Sequence, residues 1–254
     1  GRILQLDFTE ALNSPGVKTV LSAKDIPGQN QIGGIIPDEN LFADEHIHFI
    51  GHPIAIVVAD TYLHAHDASK KIKSVLEKLP SILDPREAAA KNELIIPPRK
   101  FELGNVDSVW NECDYIIEGR ADSGGQEHLY LETQGSLAMP TEYGGIKIFS
   151  ATQAPTAVQR TISNVLGIPM HKIEVDVQRL GGGFGGKEDQ ATAWACMASL
   201  AAFKLKTPVK LVLNRQDDIR LTGKRHPYSS DYKIGLTKDG KILGYEATFY
   251  QNAG

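Results

Sequence analysis

Apolar and polar residues follow the periods of both strands and helices in the first third of the chain. The alternation over Arg2–Phe8 is typical of a half-buried strand, and Val17–Leu21 is a second short strand candidate. The segment Phe49–Asp60 ends in a continuous apolar run, which favours a strand buried on both faces. Beyond Asp60, apolar residues recur at three- and four-residue steps. We expect them to share one helical face: Ala65, Ala68, Ile72, Val75, Leu76 and Leu79.

The second part of the chain contains two strand–loop–helix units in succession. The pattern predicts strands at Ile146–Ser150 and Lys172–Leu180, with helices at Thr156–Leu166 and Glu188–Leu205. Strands are also expected at Tyr115–Arg120, Thr133–Met139, Val209–Leu213, Tyr232–Gly235 and Lys241–Tyr250. The last two flank Asp239-Gly240, which is a strong signal for a hairpin turn.

A stretch of weaker pattern separates these two parts. Pro85, Pro97 and Pro98 interrupt it, and Arg86–Lys91 is the short helix expected within it. We therefore predict two domains, residues 1–84 and 85–254, in a mixed α/β or α+β fold.

Composition narrows the functional classes. The 254 residues include 27 Lys and Arg against 31 Asp and Glu, and the net charge of −4 gives no reason to expect a nucleic-acid partner. No apolar run approaches the roughly 20 residues of a membrane span, and no signal peptide is visible. Cys113 and Cys196 lie too far apart for an iron–sulfur cluster built by this chain alone. Two cysteines in this length suit a reducing compartment, so we expect a cytoplasmic protein.

The glycine-rich segment Gly181–Glu188, with sequence GGGFGGKE, is the sharpest chemical feature. It lies between a predicted strand and a predicted helix, where free backbone N–H groups favour an anion. Gly181, Gly183 and Gly186 also satisfy G-x-G-x-x-G, but a dinucleotide site needs an acidic residue at the end of the next strand, about 20 residues later. A long helix is still predicted there, and Asp217 and Asp218 come later than expected. A third interpretation is that the glycines only allow close packing of strand and helix.

Other polar residues have a functional and a structural interpretation. Gln153 follows a strand and precedes a helix, so it can share a cleft with Phe184, or it can bond to its own loop. Glu188 is either a site residue or a carboxylate that stabilises the first helical turn. His46 and His48 share one strand face, but no third ligand completes a metal site, and solvated or packing histidines are favoured.

Four blocks of residues, in this order, resemble the molybdenum hydroxylases, the family of xanthine dehydrogenases and aldehyde oxidases. The blocks are Gly124-Gly125-Gln126-Glu127-His128, Ala151-Thr152-Gln153, Gly181–Glu188 and Thr222-Gly223-Lys224-Arg225-His226-Pro227. The earlier segment Gly51–Asp60 is similar to the α/β hammerhead domain of the same family. The resemblance covers nearly the whole chain and implies a hammerhead-like domain followed by the first part of a molybdopterin-binding domain.

The resemblance also implies the cofactors and the site. Molybdenum is held by the dithiolene of a pyranopterin, Gln153 hydrogen-bonds an oxo ligand of the metal, and Phe184 and Gly185 offer backbone contacts beside it. Gln126 and His128 are expected to line the site. The implied reaction is hydroxylation with oxygen from water, and the electrons leave through 2Fe-2S centres and FAD on partner domains or subunits.

Glu188 discriminates within the family. A glutamate after Gly-Gly-Lys is similar to that of xanthine-type members, in which it binds the purine ring, because a heterocycle offers hydrogen-bonding groups that a simple aldehyde lacks. We therefore expect xanthine or hypoxanthine as substrate. Aldehydes, or another N-heterocycle, are the alternative.

The family pattern also implies parts that this sequence lacks. The catalytic base is a glutamate that would lie beyond Gly254, together with the substrate-binding arginine and much of the pterin-binding wall, and the first hammerhead strand would precede Gly1. We therefore expect a portion of a longer molybdenum subunit that is inactive alone. A non-catalytic fragment or assembly module is the remaining alternative.

Overall fold

Helices and strands alternate along most of the chain in the computed structural model, which describes residues 1–253. In chain order the elements are β1 (Arg2–Asp7), α1 (Thr9–Leu12), β2 (Val17–Ser22), β3 (Ala55–Ala59), α2 (Tyr62–Ser69), β4 (Lys73–Glu77), α3 (Pro85–Ala90), β5 (Tyr115–Ser123), β6 (Gly135–Pro140), β7 (Ile146–Ser150), α4 (Pro155–Leu166), β8 (Ile173–Asp176), α5 (Gln190–Leu205), β9 (Val209–Val212), α6 (Arg215–Leu221), β10 (Tyr228–Leu236) and β11 (Ile242–Gln251).

The chain forms two compact units that interleave along the sequence. The first unit joins Gly1–Leu79 to His128–Gly223, and the second joins Pro80–Glu127 to Lys224–Gly254. The mixed α/β class is confirmed by these elements, whereas the division into consecutive domains at residues 84 and 85 stays a prediction.

The first unit contains a four-stranded sheet and two strand pairs. The sheet has the order β8-β7-β6-β9, in which β7 and β8 are parallel and the other neighbours are antiparallel. Helix α4 connects the two parallel strands, as such a pair requires. Strands β1 and β4 form one antiparallel pair, and β2 and β3 form the other.

The core of the first unit lies between this sheet and helices α4 and α5. Helix α5 is alanine-rich and buried over most of its length, because a helix that is apolar all round finds no solvent-facing side. Its small side chains share the core with Ala138 of the sheet and with larger apolar residues of the sheet and of α4: Ile146, Ile148, Val158, Ile162 and Val165.

The second unit is built on the antiparallel sheet β11-β10-β5. The predicted hairpin at Asp239-Gly240 is confirmed, since β10 and β11 pair directly across it. Helix α3, expected at Arg86–Lys91, is also confirmed within one residue at each end. It is tied to β10 by two hydrogen bonds from Arg86 to the Asp231 carboxylate, 2.6 and 2.7 Å long.

Several predicted boundaries are wrong. The helix expected to reach Leu79 ends at Ser69, because the residues that follow pair with β1 as strand β4. The segment Phe49–Asp60 forms a strand only from Ala55, because Pro53 cannot donate a backbone hydrogen bond within a strand. Strand β8 stops at Asp176 instead of Leu180, and helix α6 was not predicted at all.

Candidate functional site

Two loops meet at one edge of the four-stranded sheet. They follow β7 and β8, and because these strands are parallel neighbours, their carboxyl ends lie at the same edge. The Gln153 N–H donates to the Lys187 carbonyl at 2.8 Å, and the Thr152 hydroxyl donates to the same carbonyl at 3.1 Å. The sequence-based expectation that these two loops come together is therefore confirmed.

The carboxamide of Gln153 has a fixed orientation. Its Oε1 accepts hydrogen bonds from the N–H groups of Gly185, at 3.0 Å, and Lys187, at 3.2 Å. An amide oxygen has two lone pairs, so these donors satisfy it and identify the other end of the amide as nitrogen. Within residues 1–253 the Nε2 group donates to no acceptor, and Gln153 is exposed. The N–H donors of this side chain therefore remain unused within the described residues.

Small residues let the glycine-rich loop lie directly on its neighbours. A Cβ at Gly183 would come within 2.5 Å of the Gln153 Cδ, and one at Gly186 within 2.6 Å of the His128 Cγ. Phe184 has a φ of +54° and its side chain is 75% exposed. The N–H groups of Gly183 and Phe184 find no acceptor in the described part of the chain. Such a run of free N–H groups suits a negatively polarised ligand.

An ion pair between a buried lysine and a partly exposed glutamate lies beneath the loop. The Lys187 side chain is completely buried, and its ammonium is 2.9 Å from the Glu132 Oε2 and 4.5 Å from the centre of the Tyr130 ring. The same Glu132 oxygen accepts the Gly181 N–H at 3.0 Å. Burial alone would raise the pKa of Glu132, but the Gly181 hydrogen bond and the Lys187 charge outweigh it and lower that pKa. Glu132 is therefore held as a carboxylate.

A buried carboxylate, Asp218, lies beneath the same loop. It accepts the Tyr130 hydroxyl at 2.9 Å and the Gln134 N–H at 2.6 Å. The Gln134 side chain donates to the Tyr130 hydroxyl at 3.0 Å and to the Gly186 carbonyl at 2.9 Å. Burial, followed by the contact with Asp218, raises the pKa of Tyr130 to about 12. Tyr130 therefore stays protonated and donates.

Glu188 lies between the loop and helix α5, and its side chain is exposed. The predicted helix start at Glu188 is wrong, because the backbone of Lys187 is bonded to Thr152 and Gln153 and the helix begins at Gln190. Glu188 therefore precedes the first helical turn instead of belonging to it. Its carboxylate makes no hydrogen bond or ion pair within the part of the chain that the structure describes.

The other predicted site residues fall in different units. His128 belongs to the first unit, where its ring stacks on Tyr130 with centroids 6.4 Å apart. Gln126 belongs to the second unit, where its backbone pairs with Arg225.

Sequence reasoning missed the residues that form the floor of the loop. Tyr130, Glu132, Gln134 and Asp218 were not singled out, although the first three follow His128 at two-residue intervals. This two-residue spacing is a signal that could have indicated that the three side chains share one face.

Direct binding of a metal by side chains of this chain would require a group of ligating residues. Among the described residues, no group of three or more His, Cys, Asp or Glu side chains could hold a metal ion. Cys113 and Cys196 are both free thiols. No helix within residues 1–253 is long and apolar enough to cross a membrane.

Comparison with known proteins identifies the family of this chain. The family model described as "Molybdopterin cofactor-binding domain" matches residues 87–254, and the model "Aldehyde oxidase and xanthine dehydrogenase, a/b hammerhead domain" matches residues 1–80. The aldehyde oxidoreductase of Desulfovibrio gigas superposes with a TM-score of 0.89 at 28% identity, over 98% of this chain and 29% of that one.

The curated proteins with similar sequences are consistent with these family models. The chain is 42% identical over 257 residues to xanthine dehydrogenase 1 of Arabidopsis thaliana and 41% identical over 254 residues to the xanthine dehydrogenase/oxidase of Gallus gallus. These alignments cover all of this chain and 19% of each relative, so the chain spans about a fifth of their length. On the family models that match its residues, the chain belongs to the aldehyde oxidase and xanthine dehydrogenase family, with its hammerhead and molybdopterin cofactor-binding domains.

Proposed function

We propose that the chain is part of the molybdenum-binding subunit of an oxidoreductase of the xanthine dehydrogenase type, which hydroxylates purines. The observation that carries this proposal is the Gln153 carboxamide, fixed by the Gly185 and Lys187 N–H groups with its own N–H donors left to a ligand. In the proposed division, residues 1–84 form the hammerhead domain and residues 85–254 the first part of the cofactor-binding domain.

The site residues suit a molybdopterin centre. Gln153 would donate to an oxo ligand of the metal, and the exposed loop at Phe184 and Gly185 would contribute backbone contacts beside it. Gly183 and Gly186 fit tightly against Gln153 and His128, and this close packing keeps the donors of the loop at fixed positions. When bound, the cofactor supplies hydroxylation with oxygen from water and takes up two electrons.

Glu188 is proposed to bind the substrate. It is exposed beside the loop, and no described residue competes for its carboxylate. A purine presents ring nitrogens and N–H groups to such a carboxylate, and an analogue without them would leave it unpaired. His128, which lies against Gly186 of the loop, is proposed to line the site.

The complete reaction depends on partners. We propose that FAD and 2Fe-2S domains or subunits accept the electrons, since the two cysteines of this chain are isolated. We also propose that the remainder of the molybdenum subunit supplies the catalytic base.

The test uses the full-length parent protein assembled with its partners. We expect it to contain molybdenum and to reduce a dye when xanthine is added. An assembled parent that contains no molybdenum would refute the proposal.

A second candidate is an aldehyde hydroxylase of the same family, favoured by the similarity to a solved aldehyde oxidoreductase. Glu188→Ala separates the two in the parent protein. We expect it to lower kcat/KM for xanthine at least tenfold more than for an aldehyde, because only the purine pairs with the carboxylate. Asp189→Ala, which removes the neighbouring exposed carboxylate, is the matched control. Equal losses on both substrates after Glu188→Ala would contradict the proposal that Glu188 selects purines.

A further inference from the structure

Glu132 holds both ends of the glycine-rich loop. Its Oε2 accepts the N–H of Gly181, where the loop begins, at 3.0 Å, and the ammonium of Lys187, where the loop ends, at 2.9 Å. The backbone contributes a third bond, from the Glu132 N–H to the Gly181 carbonyl at 3.1 Å. One carboxylate thus closes a seven-residue loop.

The charge of Glu132 is required by the burial of Lys187. A completely buried ammonium without a counter-charge is strongly unfavourable. Among residues 1–253, the Lys187 ammonium has one carboxylate within ion-pair distance, that of Glu132, and it lies 4.5 Å from the centre of the Tyr130 ring. Without this partner, the lysine would be driven towards water.

Movement of Lys187 would reach Gln153 directly. The Lys187 N–H donates to the Gln153 Oε1, and the Lys187 carbonyl accepts the Gln153 N–H. The neighbouring Gly185 N–H binds the same oxygen. The Glu132 carboxylate is therefore two contacts away from the amide whose free N–H groups face the ligand.

We propose that Glu132 is a positioning residue: through its ion pair with Lys187 and its bond to Gly181, it sets the orientation of the Gln153 carboxamide and of the loop backbone at Phe184. The inference rests on the proposed function, in which these donors face the molybdenum centre. Glu132 itself contacts neither cofactor nor substrate in this role.

The test compares Glu132→Gln with wild type in the assembled full-length parent. The amide keeps an acceptor for the Gly181 N–H but removes the counter-charge of Lys187. In cofactor-free parent, we expect hydrogen exchange of the peptide containing residues 181–187 to accelerate about tenfold. In loaded parent, we expect kcat per bound molybdenum to fall at least tenfold with KM changed less than twofold, and the electron paramagnetic resonance spectrum of the reduced metal to shift.

Two further variants separate positioning from general stability. Glu10→Gln removes the same charge from an exposed ion pair with Lys73 in the same unit, and we expect it to leave exchange and kcat unchanged. The double variant Glu132→Gln, Lys187→Met removes both charges at similar volume, and we expect it to recover most of the loop protection that Glu132→Gln loses.

The outcomes distinguish the two levels of inference. If Glu132→Gln leaves loop exchange and kcat per molybdenum unchanged, the positioning role is refuted while the proposed function stands. A loss of activity that is fully explained by lost molybdenum, with an unaltered spectrum, also refutes it. A wild-type parent without molybdenum refutes the proposed function instead, and the positioning role towards the metal with it.

Discussion

Gly183→Ala is a minimal change that would displace Gln153. The backbone at Gly183 does not require glycine, because its φ is not positive, but an added Cβ would lie 2.5 Å from the Gln153 Cδ. Ordinary contacts begin at 3.4 Å, so the carboxamide must retreat by about 1 Å. The variant thus moves one side chain without imposing backbone strain.

The expected magnitude follows from what the carboxamide loses. Two hydrogen bonds hold its oxygen, and at about 0.5–1.5 kcal/mol each their loss costs roughly 1–3 kcal/mol of local stability. A displacement of about 1 Å at a catalytic site can lower the rate about 100-fold. We therefore expect a modest effect on unfolding and a large effect on turnover.

The assay is xanthine-dependent dye reduction by the assembled parent, expressed per bound molybdenum. Gly124→Ala is the control, because it adds the same methyl group where no atom lies within 4 Å and φ is not positive. We expect kcat to fall about 100-fold for Gly183→Ala and to stay near wild type for the control. If the two variants turn over equally, the geometry at Gln153 does not govern the reaction.

Two further predictions concern Gln153 and His52. Gln153→Glu keeps the acceptor for the Gly185 N–H but replaces the outward N–H donors. We therefore expect turnover to fall at least tenfold while hydrogen exchange of the loop stays near wild type. Faster exchange would contradict the assigned amide orientation. His52 is buried, its Nδ1 accepts the His48 N–H and its Nε2 bonds to the Asn40 carbonyl, and burial lowers its pKa below the usual 6.5. Unfolded His52 then binds a proton at higher pH than folded His52, so its contribution to stability is complete above pH 6.5 and is lost as pH falls through the folded pKa. Urea unfolding from pH 8 to 5 should show the stability difference between wild type and His52→Gln shrinking with acid, and a pH-independent difference would contradict this assignment.

Local pattern was a good guide wherever neighbouring elements are also close in sequence. Strand β7 was predicted at its observed bounds and α4 within one residue, because their apolar residues face one continuous core. The segment 73–77 shows the limit. Its Val75 and Leu76 fit a helical period and a strand equally well, and the pairing partner that decides between them is β1, about 70 residues earlier.

Some features of the candidate site could also be predicted from the sequence and others could not. The meeting of Gln153 with the glycine-rich loop could be predicted, because adjacent parallel strands end at one edge. The role of Glu132 could not, because it depends on Lys187 turning inward beneath the loop, and a lysine is ordinarily expected in solvent. Asp218 lies in a helix that itself escaped prediction.

The segment from His128 to Gln134 has its polarity inverted. Tyr130 and Gln134 are buried, whereas Leu129 and Leu131 are exposed. Burying the two leucines instead would contribute about 1.5–3 kcal/mol each, so hydrophobic collapse favours the opposite facing of this segment. The observed facing is therefore selected by hydrogen bonds. The Asp218 carboxylate accepts from the Tyr130 hydroxyl and the Gln134 N–H, and the Arg215 guanidinium donates to the carbonyls of Tyr130 and Leu131 at 2.7 Å. In this segment, buried hydrogen bonds of Tyr130 and Gln134 replace the burial of two leucines. A mutation that weakens those bonds would therefore favour a rearrangement in which the leucines turn inward and the polar side chains beneath the loop lose their positions.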